Sequence, residues 1–109
     1  MAEPITPNFE GHFDIRKLFT KEFQRPGIYI VYRGKSTNTI TYRKSTELLY
    51  IGETENEVIN PIKNKELCEK WSSRLDSGEK LTFTFADVLP DDIGRVKAEL
   101  VNQLRPFFA

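Results

Sequence analysis

Cysteine, histidine and tryptophan each occur once in the 109 residues, as Cys68, His12 and Trp71. A lone cysteine excludes an internal disulfide, so a reducing, cytoplasmic setting is expected. One cysteine and one histidine also leave no ligand set for a zinc or iron–sulfur centre. Any metal has to be held by oxygen, which points to Mg²⁺ or Mn²⁺. No apolar run reaches bilayer-crossing length, and Met1-Ala2-Glu3-Pro4 has neither the basic start nor the apolar stretch of a secretion signal, so no membrane partner is expected. Repeats, low-complexity tracts and linkers are missing as well.

What is there is an ordinary globular composition, 39% hydrophobic and 29% charged, at a length that suits one core and is too short for two. The formal net charge of zero hides an asymmetry. Residues 14–44 carry +6, residues 45–109 carry −4, and Glu3 and Glu10 supply the rest. A basic segment on an acidic body is either the footprint of an anionic ligand or an ordinary solvated surface.

Residues 1–12, with Pro4, Pro7 and Gly11, read as an irregular arm. From Asp14, a fair N-cap, Ile15, Leu18, Phe19 and Phe23 fall at helical spacing, and Arg25-Pro26-Gly27 ends the run. Ile28 to Arg33 is an unbroken β-branched and aromatic stretch, expected of a strand covered on both faces. Gly34 to Asn38 is turn chemistry, Thr39 to Arg43 a second strand, and Leu48 to Gly52 another. Pro61, behind Asn60, suits the first turn of a helix with Ile62, Leu67, Trp71 and Leu75 as its apolar stripe and Gly78 as its C-cap. Lys80 to Val88 alternates: Leu81, Phe83 and Phe85 face one way and Thr82, Thr84 and Ala86 the other, the pattern of a half-buried strand. Pro90-Asp91-Asp92 opens a last helix through about Arg105, stopped by Pro106. The expected fold class is α+β, a small central antiparallel sheet flanked by helices. Residues 1–24 form an arm and helix, and 25–109 the domain proper, within one compact unit.

Two tripeptides carry further information. Gly27-Ile28-Tyr29 and Tyr50-Ile51-Gly52, each on an expected strand and separated by a hairpin, resemble the GIY-YIG nuclease family. The resemblance covers roughly residues 25–109, and Leu49 to Glu53 with Trp71 matches small bacterial versions. It implies two tyrosines side by side, next to a helical Arg, a metal-binding Glu and a C-terminal Asn. In the family that assembly hydrolyses phosphodiesters: tyrosine orients or activates water, one Mg²⁺ or Mn²⁺ polarises the phosphate, and Arg offsets the developing charge.

The chain departs from that pattern. The Arg, about ten residues after the second tyrosine, falls at Pro61 when Asn64 and Trp71 are aligned, and the His or Tyr that comes after it falls at Lys65. The Glu, about nine residues before the closing proline, falls at Lys97, and the terminal Asn at Ala109. At about 100° per residue, Ile93, Val96, Leu100 and Leu104 cluster within about 80°, with Lys97 on the edge of that inward face. Glu99 points roughly 105° from the stripe's centre, so Lys97 rather than Glu99 is expected to look toward the tyrosines, where it would repel a cation. Arg74, more than three turns along the same helix, is the available substitute for the missing Arg.

Several plain structural roles compete with these. Tyr29 and Tyr50 also read as core tyrosines, Trp71 as core, Leu81, Phe83 and Phe85 as a buried strand face, and Cys68 as an inert small residue. Tyr32, Arg33, Lys35, Tyr42, Arg43 and Lys44 make a basic, aromatic-interleaved hairpin, which reads equally as a nucleic-acid surface, with Lys97 added, or as a strand edge defended by cations.

Three functions are compatible with these residues. The leading one is a degenerate, inactive GIY-YIG-like domain, without cofactor, that binds DNA or RNA or regulates. The second is an active Mg²⁺- or Mn²⁺-dependent endonuclease using Tyr29, Tyr50 and an unorthodox acid, Glu99 or Glu53. The third is a protein–protein adaptor on the same scaffold.

Overall fold

The computed structural model describes residues 8–35, 47–54, 61–76 and 78–108. Four strands form one antiparallel sheet: β1 (Glu10–Asp14), β2 (Gly27–Lys35), β3 (Glu47–Glu53) and β4 (Glu79–Asp87), in the spatial order β1-β4-β2-β3. Two α-helices, α1 (Pro61–Ser72) and α2 (Pro90–Leu104), complete an α+β domain. The Gly27-Ile28-Tyr29 strand is central and the Tyr50-Ile51-Gly52 strand lies directly beside it, with Tyr29 opposite Gly52 and Val31 opposite Tyr50.

The long apolar runs in β2 and β3 reflect cover on both faces of the sheet. On one face Tyr29, Val31, Phe83 and Phe85 pack with Leu67 and Trp71 of α1 and with Leu18 and Phe23. On the other, Ile28, Ile30 and Ile51 pack with Val88 and with Ile93 and Val96 of α2. One irregularity disturbs the alternation. The register of β3 shifts between Val31 and Tyr32, so that Leu49 and Tyr50 both join the α1-side core. That is a β-bulge, two residues against one, and it explains why Leu48 to Ile51 shows no period of two.

The chain's first part departs from expectation. Residues 10–14 are an edge strand on β4, not part of an irregular arm. Its side chains are mostly exposed and carry no alternation, so only backbone pairing with the free edge of β4 reveals it. Asp14 does cap, its carboxylate accepting from the Arg16 N–H at 2.9 Å. The segment it caps is a pair of tight 3₁₀ turns, Ile15–Phe19 and Lys21–Phe23, in place of one α-helix. Broken at Thr20, they still bury Leu18 and Phe23.

Helix α1 begins where Pro61 indicates, but it stops at Ser72. Gly78 instead sits in the turn into β4, at φ +83° with Glu79 N–H donating to the Asp76 carbonyl at 3.0 Å. Ile62 is 74% exposed and does not join the stripe. Five residues before Leu67, it stands about 140° around the helix. Helix α2 matches its expected start and ends on Arg105, whose left-handed backbone (φ 50°) directs its N–H to the Val101 carbonyl at 3.0 Å. The expected strand over 39–43 and the Asn60 cap lie outside the described residues.

Candidate functional site

The connection from β3 through α1 to β4 crosses central β2, because β3 and β4 both run antiparallel to it on opposite sides. The crossing lays Trp71 over the tyrosine pair. The Tyr29 and Tyr50 ring centroids are 6.1 Å apart, and Trp71 lies 6.1 Å from Tyr29, near edge-on, and 5.6 Å from Tyr50. Tyr29 and Trp71 have no exposed surface, and Tyr50 retains 9%. The tyrosines do stand side by side, under a lid of indole rather than around an open cleft. Contacts of this edge-on and tilted kind, at full burial, are those of an aromatic core.

Two glycines frame the pair differently. A Cβ on Gly27 would stand 2.5 Å from the Ala86 carbonyl oxygen and against the Phe85 ring, so close packing on β4 requires glycine there. Gly52 faces Tyr29 across the ladder. Below them the Thr54 hydroxyl, buried, donates to the Arg25 carbonyl at 2.5 Å and closes the start of β2.

The other residues that the resemblance would set beside the tyrosines stand elsewhere. Helix α2, which carries Lys97 and Glu99, packs on the Ile28–Ile30–Ile51 face, so the sheet separates it from Tyr29 and Tyr50. The expectation that position 97 looks toward the tyrosines is therefore not met: the inward stripe of α2 faces the opposite side of the sheet. Lys97 is half-buried and Glu99 exposed. Glu53 pairs with Ile28, a residue of the α2-side core, and strand alternation sends it to that side too. Among the described residues no group of three His, Cys, Asp or Glu side chains is placed to hold a metal ion. The carboxylates considered, Glu53 and Glu99, do not fit a divalent ion beside the tyrosines, and no step through such an ion is derived. Pro61 starts α1, Lys65 is exposed on it, and Ala109 lies outside the described residues.

Arg33 points to the α1 side, but away from the tyrosines and into carboxylates. Its guanidinium meets Glu79 at 2.6 Å, Asp76 at 3.1 Å and Glu47 at 3.2 Å, and donates to the Arg74 carbonyl at 3.2 Å. Arg74 in turn reaches Glu47 at 3.1 Å. The hydrogen bond from Arg74, with that from Arg33, holds the Glu47 carboxyl below the ordinary glutamate range. The carboxylates, Asp76 first, hold the Arg33 guanidinium charged to higher pH than usual. Both arginines are thus engaged by carboxylates of the same chain. The network rests on the direct cross-strand pairing of Arg33 with Glu47, which follows the register shift between Val31 and Tyr32 and so is not given by counting back from the tyrosine pair. Lys35 ends β2 opposite Glu79, while Tyr42, Arg43 and Lys44 lie outside the described residues.

Other cations of the basic segment are also engaged. Arg16 chelates Asp14, whose carboxyl it holds below the usual aspartate range, and Arg25 pairs with Asp87 at 2.5 Å while stacking on Phe85. A second feature unseen in the sequence is the contact of His12 with Thr82 (3.2 Å) and with the Tyr32 ring (4.7 Å between centroids) across β1, β4 and β2. Burial pushes the Tyr32 phenol up, partly offset by the Thr84 hydroxyl. Cys68 is half-buried and burial pushes its thiol up, away from nucleophile character. No helix among the described residues is long and apolar enough to cross a membrane.

Comparison with models of known protein families, with curated proteins and with solved structures finds no match for this chain.

Proposed function

We propose that this chain is a GIY-YIG-like domain whose nuclease centre is degenerate and inactive, and that it works as a nucleic-acid-binding or regulatory module. The observation that carries this reading is the enclosure of the tyrosine pair: Tyr29 has no exposed surface and both rings pack against Trp71. A phenol that orients water for attack on a phosphate has to reach solvent and substrate, and with α1 docked this one reaches neither. The position of α2 across the sheet supports the same reading, since it removes Lys97 and Glu99 from the tyrosines. Lys35, Arg43 and Lys44 are the residues assigned to phosphate contact.

The test incubates the purified protein with supercoiled plasmid and with structured RNA in Mg²⁺ and in Mn²⁺. Both are expected to stay intact. Cleavage that Tyr29→Phe abolishes would instead establish the active endonuclease. Binding is read with labelled DNA and RNA at low salt, where charge reversal at Lys35, Arg43 and Lys44 is expected to remove the shift.

A second reading, a protein–protein adaptor, is favoured by one observation. Arg16, Arg25 and Arg33 each spend their charge on carboxylates of the same chain, leaving less of the basic segment for phosphates. Failure to retain either nucleic acid at low salt decides for it.

A further inference from the structure

Beyond α2 the chain does not run into solvent. Arg105 turns it, Pro106 comes next, and the two residues after that line up on the outer edge of β3. The Phe107 N–H donates to the Leu48 carbonyl at 3.2 Å and the Phe108 N–H to the Leu49 carbonyl at 2.8 Å, both at the bulge. This short tail passes from the α2 side of the sheet to the α1 side. There the Phe108 ring packs on the tyrosine core and under Lys70 (5.3 Å), and the Phe107 ring lies 3.9 Å from the Arg74 guanidinium.

Lys70 and Arg74 stand at, and just beyond, the C-terminal end of α1, the helix whose Trp71 covers Tyr29 and Tyr50. The tail therefore ties that end of α1 to the rim of the sheet. Its contacts are of a releasable kind: Phe107 is 51% exposed, and cation–π pairs at the surface are individually weak. The docked helix also carries a cost. The Trp71 indole N–H is buried with no hydrogen-bond partner among the described residues. On α1 itself only Leu67 and Trp71 are fully buried among the described side chains.

We propose that the segment following α2, Pro106–Phe108, is a latch that holds α1 over the tyrosine pair, and that its release lets α1 lift and opens the tyrosine face of the sheet. A helix with few buried anchors, one of them carrying a sealed donor, undocks locally at far lower cost than the sheet unfolds. What then enters the opened face rests on the function proposed above, nucleic acid stacking on the exposed rings. The latch itself does not depend on that reading.

The test uses the full chain with Phe107→Ala, and with Phe107→Ala/Phe108→Ala. Trp71, the sole tryptophan, reports α1 docking through acrylamide quenching, and amide hydrogen exchange reports each element. The expected result is exchange at the α1 amides about tenfold faster and Trp71 about twofold more quenchable, with β2 and β4 amides unchanged. Lys70→Ala is expected to move α1 in the same direction by less. Unchanged α1 exchange and quenching overturn the latch. So does equal acceleration of α1, β2 and β4, which marks general loss of stability. Should the double variant not fold, the exposed Phe107→Ala carries the test alone. Affinity for labelled single-stranded DNA and RNA, read on the same proteins, separates the two ideas. Selective opening with no gain in affinity supports the latch and counts against nucleic acid as the ligand.

Discussion

Gly27 illustrates how a single residue serves the fold rather than chemistry. A methyl at this position meets the Ala86 carbonyl oxygen at 2.5 Å and the Phe85 ring. Gly27→Ala is therefore expected to cost about 1–3 kcal/mol, the usual penalty of overpacking, measured by urea denaturation against the parent chain. Cys68 makes a complementary case. Half-buried, with burial pushing its thiol up, it is expected to react with iodoacetamide at pH 7.5 several-fold more slowly than a free thiol, and at the free rate once the chain is unfolded in urea. Both residues were legible in part: a tripeptide that demands glycine and a cysteine without an activating neighbour are sequence features. The particular atoms that press on Gly27 belong to β4, some sixty residues away, and no local pattern announces them.

Among elements, the end of the sheet bearing Arg33 is held by charge. Glu79, whose side chain is only 7% exposed, has Arg33 as its ion-pair partner, so Arg33→Met leaves a carboxylate poorly hydrated and unpaired. The expected outcome is a lower Tm at pH 7, by more than for Glu47→Gln, for which a loss of roughly 2–4 °C is expected because Glu47 is a half-exposed member of the network. The sign of the pH dependence is set by the same contacts. The folded Glu47 and Asp14 carboxyls titrate below their ordinary values, so the stability they contribute is present above about pH 4 and is lost as pH falls through the lowered folded values. A Tm series from pH 7 to 3 should fall more gently for Glu47→Gln than for the parent. The strand over 28–33 was readable from its unbroken β-branched and aromatic run, and the elements over 80–87 and 90–104 from their apolar period. Gly34 and Lys35, expected as turn, instead continue β2 because they pair with Lys80 and Glu79 of β4. The strand at 10–14 was not readable, since an exposed edge strand is defined by the neighbour whose backbone it pairs with.

At the scale of the whole molecule, the layers decide which residues meet. Crossing α1 over β2 covers the tyrosines with Trp71, while α2 occupies the other face with Lys97 and Glu99. The charge asymmetry is likewise reshaped, because Arg16, Arg25 and Arg33 are neutralised within the chain. If Lys35, Arg43 and Lys44 make the phosphate contacts, the logarithm of affinity for single-stranded nucleic acid should fall against the logarithm of salt concentration with a slope of only about −2. A slope of about −5 or steeper would mean that several further cations take part.

The chain's residues by themselves determined the α+β class and the two strands that carry Tyr29 and Tyr50. These depend on hydrophobic period, turn chemistry and residue identity, all local properties. Only the tertiary structure decided that the tyrosine pair is sealed, that Arg33 is committed to carboxylates, and that the last aromatics return to the β3 edge. Those outcomes depend on which face each helix covers and on one bulge in β3. A one-residue shift in a strand reverses where side chains point, and local patterns do not register it.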